Sequence, residues 1–280
     1  MINKNKKVKI AFQGEFGAYS EIAAFNFWGD NTETVPCVNF SDIFMTVEKG
    51  KADFGIVPAE NSIEGSIGQT YDLLLGSPLK IVGETKLRVR HCLIVPEKET
   101  LKSIKDVYSH PQALGQCRKF LEKFKWKIIP SYDTAGSVKM IKERGLKNSA
   151  AIASSRAADV YHMKILKKGI ETNHKNFTRF FIISKKESTT IDNNKTSIVF
   201  RTKNMPGALS NAINEFAKLD INLTKIESRP IVGKPWEYNF YLDFEHDQND
   251  KKAKKALQNL KKVSTFIKVL GSYSRVSDKK

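Results

Sequence analysis

Cysteine is scarce in this chain, which has only Cys37, Cys92 and Cys117 among its 280 residues. They are odd in number and far apart, and they show neither Cys-x-x-Cys spacing nor a neighbouring histidine cluster. This pattern argues against a disulfide framework and against a metal site. Cys117 falls on an apolar helical stripe, which predicts a small buried side chain there.

Long hydrophobic runs are also missing. No stretch approaches the roughly 20 consecutive apolar residues of a membrane helix. No apolar core follows the basic N-terminus MINKNKKVKI, as it would in a secretion signal. Hydrophobic residues make up 40% of the chain, as in ordinary globular proteins. We therefore predict a cytoplasmic protein with room for about two domains.

Acidic residues are few beside the basic ones, 30 against 47, which gives a net charge of +17. Only nine of the cationic residues are arginine, and the lysines are scattered along the chain. No helix-turn-helix, zinc-finger or RNP-like motif accompanies them. We predict a solvated lysine surface without a nucleic-acid partner, and a positive field that helps to gather an anionic substrate.

Strands alternate with helices in the first two thirds of the chain. Val8–Phe12 reads as a strand that leads through the glycine turn Gln13–Gly17 into a helix from Tyr19. The Gly-x-x-Gly spacing of this turn is not the dinucleotide fingerprint Gly-x-Gly-x-x-Gly. A further strand over 52–57 is expected to end at Pro58. The alternation predicts two α/β lobes with a cleft between them, the second over about 88–174.

A clear amphipathic helix is predicted over Pro111–Phe124, with Ser109 or His110 as its cap. The polar segment 187–195 lacks apolar periodicity, and it predicts a linker after a first domain of residues 1–186. The pattern then changes, and residues 196–276 follow the order βαββαβ, which is the ferredoxin-like arrangement.

Several segments resemble the prephenate dehydratases. In chain order they are QGEFGAYSEIAA (13–24), VPAENSIEGSI (57–67), SHPQALGQC (109–117), DTAGS (133–137) and NFTRF (176–180). PGAL (206–209) and NLTKIESRP (222–230) are similar to the ACT domain attached to these enzymes. The resemblance implies a two-lobed α/β catalytic domain, like that of periplasmic binding proteins, followed by an ACT regulatory domain.

The resemblance also implies an activity, that of a carbon–oxygen lyase converting prephenate to phenylpyruvate, CO2 and water in phenylalanine biosynthesis. Segments such as QGEFGAYSE, YDLLL and KLRVRHCL are similar to the plant-type branch, which prefers arogenate, so both substrates stay open. Family members often have Gly-Pro where this chain has Gly14-Glu15. By periodicity alone, a non-catalytic small-molecule sensor of the same fold is a rival interpretation. No metal or organic cofactor is expected, because no electrons are transferred and no carbanion needs a sink.

The family's catalytic threonine maps onto Thr178, where the resemblance implies a hydrogen bond to the leaving hydroxyl. The predicted substrate-binding residues are Glu60, Asn61, Ser62, Gln116, Thr134, Ala135, Arg179 and Phe180. Without the resemblance, turn chemistry would explain Asn61 and Ser62. Arg179 suits either a substrate carboxylate or a structural ion pair. Packing is favoured for Phe180.

The ACT-like segment implies a phenylalanine sensor that exerts feedback inhibition. The predicted effector residues are Gly207, Ala208, Leu209, Asn222, Leu223 and Thr224. Leu209 and Leu223 would equally suit a hydrophobic core. In the family the two segments meet across a dimer interface, so we expect a homodimer or homotetramer formed through the ACT domains. The other partner expected is a small-molecule substrate, prephenate or arogenate.

Overall fold

The computed structural model describes residues 7–187 and 192–276. Its elements begin with β1 (Val8–Gln13), α1 (Tyr19–Trp28), β2 (Thr32–Cys37), α2 (Phe40–Glu48), β3 (Phe54–Asn61), β4 (Gly65–Ser66), α3 (Gly68–Gly76), β5 (Lys80–Arg88), β6 (Cys92–Val95) and β7 (Asp106–Ser109). They continue with α4 (Pro111–Gln116), α5 (Arg118–Leu121), β8 (Lys127–Pro130), α6 (Thr134–Glu143), β9 (Ser149–Ala153), α7 (Ser155–Val160), β10 (Lys164–Lys168) and β11 (Phe177–Ser184). The last are β12 (Lys195–Arg201), α8 (Ala208–Ala217), β13 (Leu223–Ile231), β14 (Lys234–Glu245), α9 (Lys251–Val263) and β15 (Phe266–Tyr273).

The chain forms two compact units. The first contains the chain up to Ser66 together with Lys86–Phe180, and the second contains Ile67–Thr85 and the chain from Phe181 onward. The chain therefore passes between the units within β5 and within β11, and helix α3 belongs to the second unit. Residues 188–191 of the predicted linker lie outside the described residues, and β12 begins at Lys195.

Two sheets run through the first unit, in the orders β2-β1-β3-β11-β5 and β10-β6-β9-β7-β8, with β4 paired to β3. Strand β1 pairs in parallel with β2 and β3, and β7 pairs in parallel with β8 and β9. Helices connect these parallel strands and cover the sheets, so the centre of β1, residues 10–12, is apolar and buried. The predicted α/β architecture is confirmed.

One buried cluster joins the two sheets of the first unit. It includes Ile10, Phe12 and Phe180 from one sheet and Ile94 and Ala151 from the other. A second cluster lies under the short helices α4 and α5 and includes Cys117, which is fully buried as the helical stripe predicted. Two hydrophobic clusters thus support the polar segments at the strand ends.

The glycine turn after β1 brings backbones very close together. Gly17 has φ +90°, and a Cβ on it would lie 2.5 Å from Cα of Ala157. Ser154 caps α7 by accepting a hydrogen bond from N–H of Ala157, and its hydroxyl donates to the carbonyl of Gly17 over 2.6 Å. Helix α1 begins at Tyr19 as predicted. Gly17 is therefore required both by conformation and by space.

Two predicted boundaries were wrong. Strand β3 continues past Pro58 to Asn61. Its pairing with β1 covers only Phe54 to Ile56, so the missing N–H of proline costs no ladder hydrogen bond there. The helix predicted over Pro111–Phe124 breaks at Cys117 into α4 and α5. The carbonyl of Gln116 accepts from N–H of Thr172 instead of from the next helical turn. His110 caps α4, as predicted.

The second unit contains the predicted βαββαβ arrangement. Its four-stranded antiparallel sheet has the order β13-β14-β12-β15, with α8 and α9 packed on one face. Alternate residues of β12 and β14, such as Ile198 and Leu242, are buried against the two helices. This confirms the ferredoxin-like pattern read from the sequence.

Helix α3 is held in the second unit by long polar side chains. Lys268 of β15 donates to the carbonyls of Leu74, Leu75 and Ser77 at 2.7–3.0 Å, which satisfies the C-terminal end of the helix. Arg229 of β13 makes two hydrogen bonds to the Asp72 carboxylate, at 2.6 and 3.0 Å.

The second unit also contains a buried cluster of charged side chains. The ammonium group of Lys195 is 3.0 Å from the Glu84 carboxylate and 3.9 Å from that of Asp243. All three side chains are at most 7% exposed. Ser197 lies between Asp243 and Tyr273 and donates to the Asp243 carboxylate over 2.5 Å. Buried charges of this kind persist only when they are paired and hydrogen-bonded.

Candidate active site

Asn61 and Thr178 meet where strands β3 and β11 lie side by side. The Asn61 amide nitrogen donates to Oγ1 of Thr178 over 3.0 Å and to Oδ1 of Asn176 over 2.7 Å. Oδ1 of Asn61 accepts from the backbone N–H groups of Ile63 and Glu64. These two backbone donors determine which end of the Asn61 amide is oxygen. The Thr178 oxygen is therefore an acceptor towards Asn61, and its own hydrogen can point elsewhere.

The hydrogen-bonded chain continues behind Asn61. Asn176 is fully buried, and its amide nitrogen donates to Oε1 of Gln116 over 2.9 Å. The same Gln116 oxygen lies 2.9 Å from Nε2 of His91. Nδ1 of His91 lies 2.8 Å from the hydroxyl of Tyr19. Five polar side chains therefore lead from Tyr19 to Asn61, and Thr178 is the sixth.

Asn61 is held by backbone N–H groups, and it determines the direction of each hydrogen bond in this series. Because Asn61 presents its N–H groups, Asn176 must present oxygen to it and nitrogen to Gln116. Gln116 must then present oxygen to His91, so the imidazole has its hydrogen on Nε2 and accepts at Nδ1 from Tyr19. Burial lowers the pKa of His91, which favours this neutral form, although the hydrogen bond to Gln116 and the Glu171 carboxylate act in the opposite direction.

Glu171 is a buried carboxylate next to His91. It is 3% exposed and accepts from the backbone N–H of His91 over 2.9 Å. His174 approaches its other oxygen at 3.3 Å. The pKa of the neighbouring Tyr19 hydroxyl is raised, first by burial and then by the thiols of Cys92 and Cys117 and by Glu171. Tyr19 therefore stays protonated and remains available as a hydrogen-bond donor.

The other predicted residues near Asn61 and Thr178 each have a different environment. The Ser62 hydroxyl donates to the carbonyl of Lys175 and accepts from N–H of Phe177, so it connects the loop to β11. Arg179 forms an ion pair with Glu60 at 3.6 Å, and only 11% of its side chain is exposed. Phe180 is 1% exposed and belongs to the hydrophobic cluster shared by the sheets.

Thr134 and Ala135 open helix α6, as the resemblance implied. Asp133 caps this helix by accepting from N–H of Gly136 over 3.1 Å, and it also accepts from N–H of Glu15. The pKa of Asp133 is raised by burial, against the lowering effect of these backbone donors. Since a carboxylate of the protein already occupies these N–H groups, the helix terminus has fewer donors left for a substrate carboxylate.

The predicted effector residues lie in the second unit. Gly207 is the left-handed N-cap of α8, and Ala208 and Leu209 form its first turn. Leu209 and Leu223 both pack against the core of this unit, as their alternative interpretation predicted. Ala208 and Leu209 also line a pocket with Arg201, Trp236 and Tyr238. Asn222 and Thr224 are exposed at the start of β13.

Sequence reasoning missed Asn176, His91 and Tyr19. Each lies within a segment already singled out, namely NFTRF, the run KLRVRHCL and QGEFGAYSE, so the family motifs were the available signal. In the parts of the chain that the structure describes, no group of three or more His, Cys, Asp or Glu side chains is arranged to hold a metal ion. Over the same residues, no helix has the length and hydrophobicity to cross a bilayer.

Comparison with known proteins places these residues in a family. The model for prephenate dehydratase matches residues 10–188, and the ACT domain model matches residues 196–262. The Arabidopsis thaliana protein named arogenate dehydratase/prephenate dehydratase 2, chloroplastic, is 42% identical, over 97% of this chain and 74% of its own.

Two solved structures are similar over nearly the whole chain. Prephenate dehydratase from Arthrobacter aurescens in complex with L-Phe has a TM-score of 0.88 at 30% identity and is covered to 91%, over 98% of this chain. GqqA, described as a novel type of quorum quenching acylase, also has a TM-score of 0.88, at 32% identity. It is covered to 100%, over 97% of this chain.

Proposed function

Because the chain belongs to the prephenate dehydratase family, we propose that it converts prephenate to phenylpyruvate, CO2 and water under the control of its ACT domain. The observation that supports this most directly is the hydrogen bond from Asn61 to Oγ1 of Thr178. It makes the Thr178 oxygen an acceptor and leaves the hydroxyl hydrogen for a ligand.

The chemistry requires little of the protein beyond positioning. The bond between the ring and its hydroxyl breaks as the bond to the ring carboxylate breaks, and the electron pair released with CO2 completes the aromatic ring. Thr178 donates a hydrogen bond to the departing oxygen, which leaves with the C–O electron pair and takes a proton from solvent water. A threonine hydroxyl is a weak acid, so its contribution is stabilisation of the developing negative charge.

Carboxylate recognition is assigned to groups around this centre. Arg179 is close to Glu60 and little exposed, and its guanidinium suits a substrate with two carboxylates. The amide nitrogen of Gln116 is a second donor, because the oxygen of that amide is engaged by His91 and Asn176. Thr134 and Ala135 stay candidates through the residual N–H groups of α6.

The same geometry argues against acyl transfer, the activity in the description of GqqA. A nucleophilic hydroxyl needs a neighbouring base that accepts its proton. Within the described residues, the group bonded to the Thr178 hydroxyl is the Asn61 amide nitrogen, which donates. The site is therefore suited to donating a hydrogen bond and not to activating a nucleophile.

Arogenate is the second candidate substrate, because the Arabidopsis relative at 42% identity is named for both activities. Purified protein should be given prephenate and arogenate separately, with phenylpyruvate and phenylalanine measured as products. We expect turnover of prephenate. Turnover of arogenate alone would assign the chain to the plant-type activity. Turnover of neither, with binding retained, would favour a non-catalytic sensor.

Phenylalanine is the proposed effector of the ACT domain. The solved relative from Arthrobacter aurescens contains L-Phe. In this chain the N-terminus of α8 and the aromatic residues of the adjoining pocket offer a carboxylate site beside an apolar one. We expect phenylalanine to lower prephenate turnover and to raise the melting temperature of a homodimer or homotetramer. Unchanged kinetics and an unchanged melting temperature would contradict this, and a concentration-independent monomer in light scattering would exclude a site shared between subunits.

A further inference from the structure

We propose that His91 is a positioning residue for the dehydration, acting on Thr178 through Gln116, Asn176 and Asn61. The proposal rests on the proposed function, since Thr178 is the group that it orients. His91 itself is 2% exposed, and its ring bonds on both sides within the protein, so it does not serve as an acid or base for the substrate.

The first step of the argument concerns Gln116. Its oxygen receives two hydrogen bonds, one from Asn176 and one from the Nε2–H of His91. Gln116 is only half buried and ends the short helix α4. Without the imidazole donor, its side chain keeps one of these two hydrogen bonds and can turn towards water. His91 therefore holds the Gln116 oxygen in the protein interior.

The second step concerns Asn176, which is fully buried. If the Gln116 oxygen leaves, the amide nitrogen of Asn176 loses its acceptor in a place that water does not reach. An unsatisfied buried donor costs free energy, so Asn176 would rotate to find another acceptor. Rotation removes the Asn176 oxygen from Asn61, over a contact that is now 2.7 Å. Asn61 keeps its two backbone donors but loses the acceptor of one amide hydrogen, so the amide nitrogen that donates to Thr178 is less tightly positioned.

The third step concerns the choice of tautomer. The Tyr19 hydroxyl lies 2.8 Å from Nδ1 of His91 and 3.1 Å from the carbonyl of Arg90. By donating to Nδ1, Tyr19 favours the ring hydrogen on Nε2, where Gln116 needs it. The direction set from Asn61 makes Nδ1 an acceptor, so the single Tyr19 hydrogen is donated to Nδ1 and not to the Arg90 carbonyl, and Tyr19 supports this tautomer without determining it.

The test uses two variants that differ in where they place a donor. His91→Gln can put an amide N–H near the position of Nε2, whereas His91→Asn is too short to reach Gln116. For prephenate turnover by the full chain, we expect kcat to fall about 10- to 100-fold in His91→Asn, since a misplaced reacting group costs rates of this order, with a smaller rise in KM from the displaced Gln116 donor. His91→Gln should recover most of the loss. Equal kcat in the two variants would overturn the proposal.

A double-mutant cycle separates positioning from a general loss of stability. In an Asn176→Ala background the series of hydrogen bonds is already interrupted, so adding His91→Asn should lower kcat no further. A loss that multiplies in the double mutant would mean that His91 acts by another route. If His91→Asn does not fold, Tyr19→Phe can be compared in the unmodified and the Asn176→Ala proteins. This change removes the hydroxyl that donates to His91 and keeps the packing of the ring. The unmodified protein is the control, because absence of prephenate turnover there would refute the proposed function itself and not only the role of His91.

Discussion

The hydrogen-bonded chain of the first unit and the ion cluster of the second unit are built from polar groups of different kinds. In the first unit, neutral side-chain amides connect His91 to Thr178. Their hydrogen bonds run in one direction, because each amide oxygen and nitrogen has a fixed role. The second unit buries charge, with Lys195 between two carboxylates and with Lys268 against the end of α3. Neutral groups cost less to remove from water than ions do.

The difference teaches what each unit needs from its polar groups. A reacting hydroxyl needs one orientation, and amides supply it because their two ends are chemically distinct. Strands and a helix that come from distant parts of the sequence need strong connections, and an ion pair supplies these at a desolvation cost that is recovered only while both partners are present. Mutations in the hydrogen-bonded chain should therefore lower turnover most, whereas mutations in the ion cluster should lower stability most.

Thr178→Ala should give the largest effect. Loss of the hydroxyl removes the donor to the leaving oxygen, and we expect kcat for prephenate to fall by about 10²- to 10³-fold. Thr178→Ser keeps the hydroxyl and is the matched control, which should retain most of the activity. Steady-state kinetics test this prediction. A kcat of Thr178→Ala within about threefold of that of the unmodified enzyme would remove Thr178 from the reaction.

Lys195→Met should be the most destabilising change in the second unit. It leaves the Glu84 and Asp243 carboxylates buried without the ammonium group that lies between them. Breaking a buried pair in this way costs about 3–5 kcal/mol of unfolding free energy, measurable by urea denaturation. Lys234→Met, which removes an exposed pair with Glu237, is the control and should leave stability unchanged. Equal effects of the two substitutions would show that the buried ion cluster does not stabilise this unit.

Lys268→Met tests the connection to α3. The three carbonyls that Lys268 satisfies lose their donor, and we expect a loss of about 1–3 kcal/mol in unfolding free energy. Lys80 offers a graded comparison, because it donates one hydrogen bond to a carbonyl, that of Val269, beside a 3.8 Å ion pair with the exposed Glu187. Lys80→Met should therefore cost less. The reverse order would show that the number of satisfied carbonyls does not set the effect.

Much of the fold followed from periodicity, and the rest depended on tertiary contacts. The ferredoxin-like order of the second unit is a matter of local patterns, and it was predicted in full. The break at Cys117 was not predicted, because it depends on Thr172, more than fifty residues away, taking the carbonyl of Gln116. The membership of α3 in the second unit was missed for the same reason.

The candidate site divides in a similar way. Asn61, Gln116 and Thr178 were identified from family motifs, and the structure joins them. His91 and Asn176 were missed because a hydrogen-bonded chain depends on which strands are neighbours, and the pair Asn61–Asn176 is 115 residues apart in sequence. Periodicity indicates that a strand is buried, but it does not give the strand that lies beside it.

The smallest predicted effect comes from the titration of His91. In the unfolded chain a histidine takes up a proton near pH 6.5. In the folded protein, burial lowers the pKa of His91 more than Gln116 and Glu171 raise it. The unfolded state therefore binds more protons below pH 6.5, and the unfolding free energy should fall as the pH decreases from about 6.5 towards the folded pKa. The slope from one such group is at most about 1.4 kcal/mol per pH unit.

His91→Gln isolates this contribution, because the other groups titrate in both proteins. Asp133, with its pKa raised by burial, acts in the opposite direction as the pH falls, and its effect cancels in the difference. Urea denaturation at pH 5.5 and 7.5 should therefore show a smaller loss of stability on acidification for His91→Gln than for the unmodified protein. If both lose the same amount, the imidazole is not held neutral, and the direction of the hydrogen-bonded chain would have to be drawn from the protonated ring.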